Sequence, residues 1–284
     1  MHPCLNQQHR AHRQRAGISE MSDDYPSKPE DINFSALYDE HPEYVARRMA
    51  DSLASAQIEL EVQLFKLPNL IGVIPTGQRL CNVVEIGCAT GELIAAFPVD
   101  PGGRRVGLDI SAANIATART RFPDVEFFAG NFLDIGISGF DVVIVSDVIE
   151  HVPDDAGFLR SAAGLGQIVL VNLPLEDNWL NDRRNYGPED VSGHLRRYSL
   201  EQGLKLFERA GLELLSSSQI WVHETSAEPA RRALWRERSS RAYTGRWPVA
   251  LAKRVVFATA TAIRPIGRRL FSSNLFAAVR RRAP

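Results

Sequence analysis

Cysteine is scarce in this sequence, and the three present, Cys4, Cys81 and Cys88, are odd in number and unpaired in spacing. That excludes a disulfide framework and a cysteine-based zinc site, and it suits a reducing compartment, so a cytoplasmic location is expected. No uninterrupted apolar run approaches the ~18 residues of a membrane-spanning helix. The first residues are polar and carry Arg and His without an apolar stretch, so no secretory signal is expected there. Residues 1–30 read as a disordered segment, with Met21 an alternative start to Met1. Internal repeats and low-complexity runs are also missing. Acid is nearly absent from one end: Arg231–Pro284 holds 14 Lys and Arg but a single acid, Glu237. The rest of the chain must then be strongly acidic, because the formal net charge is only −1. A basic appendage of this kind packs on the acidic body, stays solvated, or makes peripheral contact with an anionic inner membrane surface. The stretch from Trp247 to Leu270 mixes apolar and basic residues as such a surface helix would.

What is present is enough for one large domain with additions. The chain has 284 residues, 44% apolar and 24% charged, so a sizeable core can be buried. Apolar residues from Tyr44 to Leu67 recur near helical spacing and predict an amphipathic lead-in helix ending before Pro68. Strand-like and helix-like segments then alternate. Strands are expected at Leu80–Ile86, Arg104–Asp109, Val125–Phe128, Phe140–Val145, Gln167–Asn172, Leu212–Val222 and Asn274–Arg281. Between them lie the helices Glu92–Phe97, Ser111–Arg121, Asp154–Ala163 and Ser199–Ala210, with Ser111 and Ser199 as N-caps. A long polar connection, Leu173–Tyr198, reads as a lid or binding loop. The fold class expected is α/β: a Rossmann-like, seven-stranded, mostly parallel sheet with helices on both faces. An N-terminal helix and a basic helical insertion before the last strand complete it. The organisation is a helical lead-in at 31–79, a core at 80–222 and a basic extension at 223–284.

Ligands of such sheets bind beyond the carboxyl ends of the strands. The segment Val83-Val84-Glu85-Ile86-Gly87-Cys88-Ala89-Thr90-Gly91 stands there, where the first strand turns into a helix. Gly87 and Gly91 permit a sharp turn and close approach of a ligand. The spacing is not G-x-G-x-x-G, so a dinucleotide reading loses its main support. Glu85 would repel a pyrophosphate and suit a cationic ligand. Asp109 ends the second strand, where a carboxylate can accept hydrogen bonds from ribose hydroxyls.

Four segments in order now carry a resemblance. Residues 83–93 look like the first motif of class I S-adenosylmethionine-dependent methyltransferases, and Asp109 looks like the acid of the second. Ala129-Gly130-Asn131-Phe132-Leu133-Asp134 is similar to the third, and Phe140–Asp154, with its Glu150-His151-Val152, to the fourth. Gly193–Ser199 resembles the late H-x-x-x-Y/F-S segment of small-molecule methyltransferases. The match spans about residues 80–222. It implies S-adenosyl-L-methionine as cofactor, bound by Glu85, Gly87, Cys88, Ala89 and Gly91 of the first motif, with Glu85 and Gly87 near its methionine end and Asp109 on its ribose. Ile110, Asn131 and Phe132 would then lie around the adenine and Ser146 near the transferred methyl. Ala89 departs from the motif, which has glycine there; a methyl group is small enough that tighter packing is expected, not lost binding.

Methyl transfer to a hydroxyl needs a base, and His151 and His194 are the candidates. No metal is expected. The one cluster that resembles a cation site is Asp147, Glu150 and His151, similar to the E-x-x-E-H of ubiquinone-type O-methyltransferases. The N/D-P-P-Y/F motif of base and amide methylation is absent, which favours an oxygen on a small molecule, sugar or lipid-linked glycan over nucleic acid. The alternatives are a catalytically silent protein that binds the same cofactor, and an RNA methyltransferase using the basic tail.

Overall fold

A computed structural model describes residues 38–49, 52–178, 181, 184–187, 190, 193–222, 225–238 and 273–282. The expected disordered segment at 1–30 and the amphipathic stretch 247–270 lie outside the described residues. Among the described residues no helix is long and apolar enough to cross a membrane.

The lead-in is not the single helix its periodicity predicts. It divides into α1 (Pro42–Arg48) and α2 (Leu53–Glu61), then a π-helical turn (Val62–Lys66) that runs on into α3 (Leu67–Gly72). Ser52 opens α2 by accepting a hydrogen bond from the Ser55 amide. Pro68 does not end the lead-in: it stands at the start of α3, directly after the π turn.

Beyond it the chain alternates as the sequence predicts. The order is β1 (Asn82–Ile86), α4 (Glu92–Ala96), β2 (Arg104–Asp109), α5 (Ala112–Arg121), β3 (Glu126–Ala129) and β4 (Phe140–Ser146). A 3₁₀ turn (Ile149–His151), α6 (Asp155–Ala162), β5 (Gly166–Leu175), α7 (Leu200–Arg209), β6 (Leu212–Ile220), α8 (Ala227–Arg238) and β7 (Ser273–Arg281) follow. Both expected serine caps form, and Ser199 with Gln202 closes a capping box. β5 extends three residues further than expected, which shortens the polar connection.

The seven strands lie in the order β3-β2-β1-β4-β5-β7-β6. Strands β1 to β5 pair in parallel, whereas β7 runs antiparallel to both neighbours. This is the Rossmann-like, mostly parallel sheet anticipated above. The last strand is therefore buried inside the sheet, between β5 and β6.

Alternation along the central strands divides the core in two. Val84, Val143, Val145, Val169 and Val171 face Leu159, Leu206 and Phe207 of α6 and α7. Val83, Val142, Ile144, Ile168 and Leu170 face the lead-in through Val62, Phe65 and Leu70, and α4 and α5 through Ile94 and Ile115. The lead-in is thus part of the domain, with Phe65 edge-on to Phe276 of β7 at 5.4 Å. Phe65→Ala would cost roughly 3–5 kcal/mol as a core cavity. Because all the parallel strands end at one edge, the turns after β1, β2, β3 and β4 converge there.

Candidate active site

Those turns border a cavity of about 1130 Å³. A drug-sized ligand needs roughly 300–1,000 Å³, so there is room for a large ligand and part of a second.

The turn after β1 is built from three residues with positive φ: Gly87 (76°), Ala89 (47°) and Gly91 (89°). A Cβ on Gly87 would run into Val148 Cγ2, and one on Gly91 would lie 2.8 Å from Phe127 Cζ. Glycine is required at both places by conformation and by space. Ala89 holds a left-handed conformation that its side chain disfavours. Its amide donates to Asp109 Oδ2 at 2.8 Å, while the Ser111 amide donates to Asp109 Oδ1 at 2.8 Å. The Asp109 carboxylate therefore ties the β1 turn to the start of α5. Asn114 Nδ2 also reaches Oδ1, at 3.4 Å. Burial pushes the Asp109 carboxyl up, opposed by the two backbone hydrogen bonds. A carboxylate accepts at about four lone-pair positions, so a free position remains for a ligand hydroxyl.

Gly87, Ala89, Asp109, Ile110, Asn131, Phe132, His151 and His194 all line the cavity, as do Asp147 and Glu150. Glu85, Cys88, Gly91 and Ser146 are not among the residues that line it. Ile110 is exposed at 47%, an apolar surface turned to the opening. Phe132 is buried edge-on to Phe158 at 5.2 Å. The Ser146 hydroxyl accepts from Asn172 Nδ2 at 3.0 Å and donates to Asp147 Oδ2 at 3.1 Å. Glu85 accepts from the Ile94 amide, and its Oε2 has no partner. Burial pushes the Glu85 carboxyl up to about 8, with Lys66 opposing.

The two histidines meet with ring centroids 4.8 Å apart and planes perpendicular. His194 Nδ1 donates to Glu176 Oε2 at 2.7 Å, leaving Nε2 as its basic nitrogen. Arg184 Nη1 holds the other Glu176 oxygen at 2.7 Å. His151 Nδ1 donates to the Gly193 carbonyl at 2.9 Å, and its Nε2 stands 3.8 Å from Glu150 Oε1. Burial, then the neighbouring His194, lowers the His151 pKa to about 4, so its ring is neutral at pH 7. Burial, reinforced by Asp147, drives the Glu150 carboxyl well above its usual range, and neither of its oxygens has a hydrogen bond.

The sequence-expected trio of Asp147, Glu150 and His151 does not come together. Asp147 is instead paired with Lys66 Nζ at 2.7 Å and held by Asn172 Nδ2 at 3.0 Å. His194 takes its place: Glu150, His151 and His194 each bring one donor atom to within 4.8 Å of the others.

Several cavity residues escaped the sequence reading. Tyr38, Tyr44 and Arg47 of the lead-in, Lys66 of the π turn and Glu176 after β5 all line it. Glu176 had a signal, an acid at the carboxyl end of a parallel strand. Lys66 had none, because helical periodicity does not register a π turn.

A family model described as a methyltransferase domain matches residues 10–217. The chain belongs to the class I S-adenosylmethionine-dependent methyltransferases. A "Probable S-adenosylmethionine-dependent methyltransferase" of Mycolicibacterium smegmatis is 30% identical over 145 residues, covering 47% of this methyltransferase and 52% of the relative. A ubiquinone biosynthesis O-methyltransferase of Rhodopseudomonas palustris is 32% identical over 106 residues, 34% of this chain and 41% of the relative. The chain thus spans about half the length of the curated relatives it matches. Among solved structures, magnesium protoporphyrin IX methyltransferase from Synechocystis PCC 6803 with bound cofactor superposes at a TM-score of 0.50 and 13% identity. The overlap covers 87% of this methyltransferase and 95% of that chain, and it shows the shared fold.

The cavity fits the family's cofactor. It offers a backbone turn that tolerates no side chain at Gly87, a carboxylate with a spare acceptor position at Asp109, and an exposed apolar face at Ile110.

Proposed function

We propose that this methyltransferase transfers the methyl group of S-adenosylmethionine to an oxygen of a small molecule, sugar or lipid-linked glycan, with His194 as general base. The Glu176–His194 hydrogen bond at 2.7 Å carries this reading. When bound, the cofactor supplies a methyl group already activated on a sulfonium. The protein has to place an acceptor oxygen in line and take its proton.

Glu176 fixes the His194 tautomer, so the nitrogen left free at the cavity is the one without a proton. His151, its Nδ1 committed to Gly193 and its Nε2 beside Glu150, is the wall against which His194 packs. In this reading Asp109 holds the ribose, Ile110, Asn131 and Phe132 border the adenine, and the Gly87–Gly91 turn takes the methionine end. Glu85, Cys88, Gly91 and Ser146 support that cradle without lining the cavity. Oxygen is favoured because the strand end after β4 reads Ser146-Asp147-Val148-Ile149, without the N/D-P-P-Y/F motif. The relatives named as ubiquinone biosynthesis O-methyltransferases support the same choice.

The test is incubation with methyl-labelled cofactor and a panel of quinols, phenols, sugars and lipid-linked glycans. An ether or ester product that disappears in His194→Ala supports the reading. Label on nitrogen, or a product formed equally by His194→Ala, contradicts it.

A further inference from the structure

The reaction above takes one side chain, His194, from the segment Gly193–Ser199. Arg196, two residues on, has no part in it. Its side chain is 9% exposed, and it is not among the residues that line the cavity. A charge kept from water in this way has to be matched by acceptors, and the acceptors it has chosen are informative.

The segment itself has no regular structure. Gly193 to Ser199 is neither helix nor strand, and α7 begins only at Leu200. No ladder of backbone hydrogen bonds therefore fixes where His194 stands. Its place rests on individual bonds, and those on either side of it run to the turn after β4. The Gly193 carbonyl accepts from His151 Nδ1 at 2.9 Å, and the Leu195 amide donates to the Glu150 carbonyl at 2.8 Å.

Arg196 adds two more bonds to the same turn. Nη1 donates to the Val152 carbonyl and Nη2 to the Pro153 carbonyl, both at 2.7 Å. A guanidinium is a rigid planar fork, so two consecutive carbonyls fix it in angle as well as distance. Those carbonyls directly follow His151. The fork thus joins the stretch of chain that bears one histidine to the stretch that bears the other.

The fork has its own anchor. Asp155 Oδ2 lies 3.5 Å from Nη1, and it accepts from the Tyr198 hydroxyl and from Arg209 Nη2, each at 2.8 Å. Asp155 opens α6 and Arg209 closes α7, so the anchor is built on two helices packed on one face of the sheet. Because Tyr198 and Arg209 remain, loss of Arg196 leaves the Asp155 carboxylate paired.

We infer that Arg196 is the positioning residue for His194: it straps the segment carrying that imidazole to the Val152 and Pro153 carbonyls, on an anchor at Asp155, and so holds the two histidines in register. This rests on the general-base reading above and deepens it.

Arg196→Met and Arg196→Lys, made in the full chain, test it by two readouts. The first needs no acceptor. With isotope-labelled histidine nitrogens, the His194 signals are those absent from His194→Gln. In the wild type they should show a single tautomer, protonated at Nδ1. In Arg196→Met they should show a mixture of both tautomers, because the ring is no longer held on Glu176. Arg196→Lys, able to hold one carbonyl but not two, should lie between. The second readout is kinetics with the acceptor from the labelling screen. Arg196→Met should lose roughly 10- to 100-fold in kcat, up to the cost of misplacing a catalytic group by about 1 Å. Acceptor KM and cofactor affinity should stay as in the wild type.

An unchanged His194 tautomer in Arg196→Met overturns the inference. So does a raised acceptor KM at wild-type kcat, which would make Arg196 a substrate contact. Equal losses of cofactor affinity and kcat would mark it as scaffold, with the same consequence. If Arg196→Met does not fold, the two readouts on Arg196→Lys decide. If the tautomers mix but neither Arg196→Met nor His194→Ala loses activity, the strap stands and the general-base reading fails instead.

Discussion

Glu176 and His194, at opposite ends of the connection between β5 and α7, are joined by a 2.7 Å hydrogen bond that assigns the proton on the imidazole to Nδ1. The same glutamate is gripped by Arg184, so its carboxylate cannot easily rotate away. Glu176→Gln should keep the shape of the site and lose control of the tautomer. With the acceptor found in the labelling screen, kcat should fall about 10²-fold or more, the lower range of general-base contributions. KM and cofactor affinity should change little, and His151→Ala should lose less than His194→Ala. A Glu176→Gln enzyme with normal kcat and an unaltered pH profile would remove His194 from the role of base.

Ala89 occupies a position where the backbone asks for glycine. Its φ of 47° costs an alanine about 1 kcal/mol relative to glycine. Ala89→Gly should therefore raise Tm by roughly 2–4 °C, as about 1 kcal/mol does in a chain of this size. Ala89→Val should lower Tm and weaken cofactor binding, because branching at Cβ worsens the same conformation and crowds the cavity wall. Thermal melts and titration of the two variants decide this; an Ala89→Gly protein that melts lower would show the turn to be wrongly placed.

Glu85 gives a pH dependence with a defined sign. Its carboxyl titrates near 8 in the folded chain against roughly 4.3 unfolded, so the folded state holds the extra proton between those values. The associated stability is complete below the unfolded pKa and is lost as pH rises through 8. The unliganded wild type should lose up to roughly 1.4 kcal/mol per pH unit in that window from this group. Glu85→Gln should not share the loss. Denaturant melts at pH 5, 7 and 9 check it, and parallel curves for the two proteins would contradict it.

The basic end of the chain calls for a different experiment from simple truncation. Removing residues 231–284 would delete β7, which is buried between β5 and β6, and would unfold the sheet. Substituting Lys253, Arg254 and Arg264 by Glu leaves β7 in place. If this segment contacts anionic membranes, the wild type should float with anionic liposomes at low salt and the substituted chain should not. Equal flotation of the two would exclude that role.

How far the sequence could be read differs by element. The sheet was legible because its central strands are continuous apolar runs bounded by turn residues, as at Phe140–Val145. The turn after β1 and its tie to Asp109 were legible because Gly87, Gly91 and Asp109 are each dictated by local geometry. What was illegible depended on contacts between distant segments. Asp147 looked like a partner of Glu150 and His151 from spacing alone, but a lysine from the lead-in holds it elsewhere. The meeting of His151 with His194 depends on how the β5–α7 connection folds back, which no periodicity encodes. The lead-in broke where one helix was expected, because its register shifts through a π turn that places Phe65 in the core and Lys66 at the cavity.

The most direct test of the whole reading is calorimetric titration of S-adenosylmethionine into the wild type and Asp109→Ala. The wild type should bind, and the variant should lose roughly 10- to 100-fold in affinity, the scale of charged hydrogen bonds to a buried acceptor. A wild type without affinity for the cofactor, or an Asp109→Ala chain that binds it as well as the wild type, would contradict the assignment of this cavity.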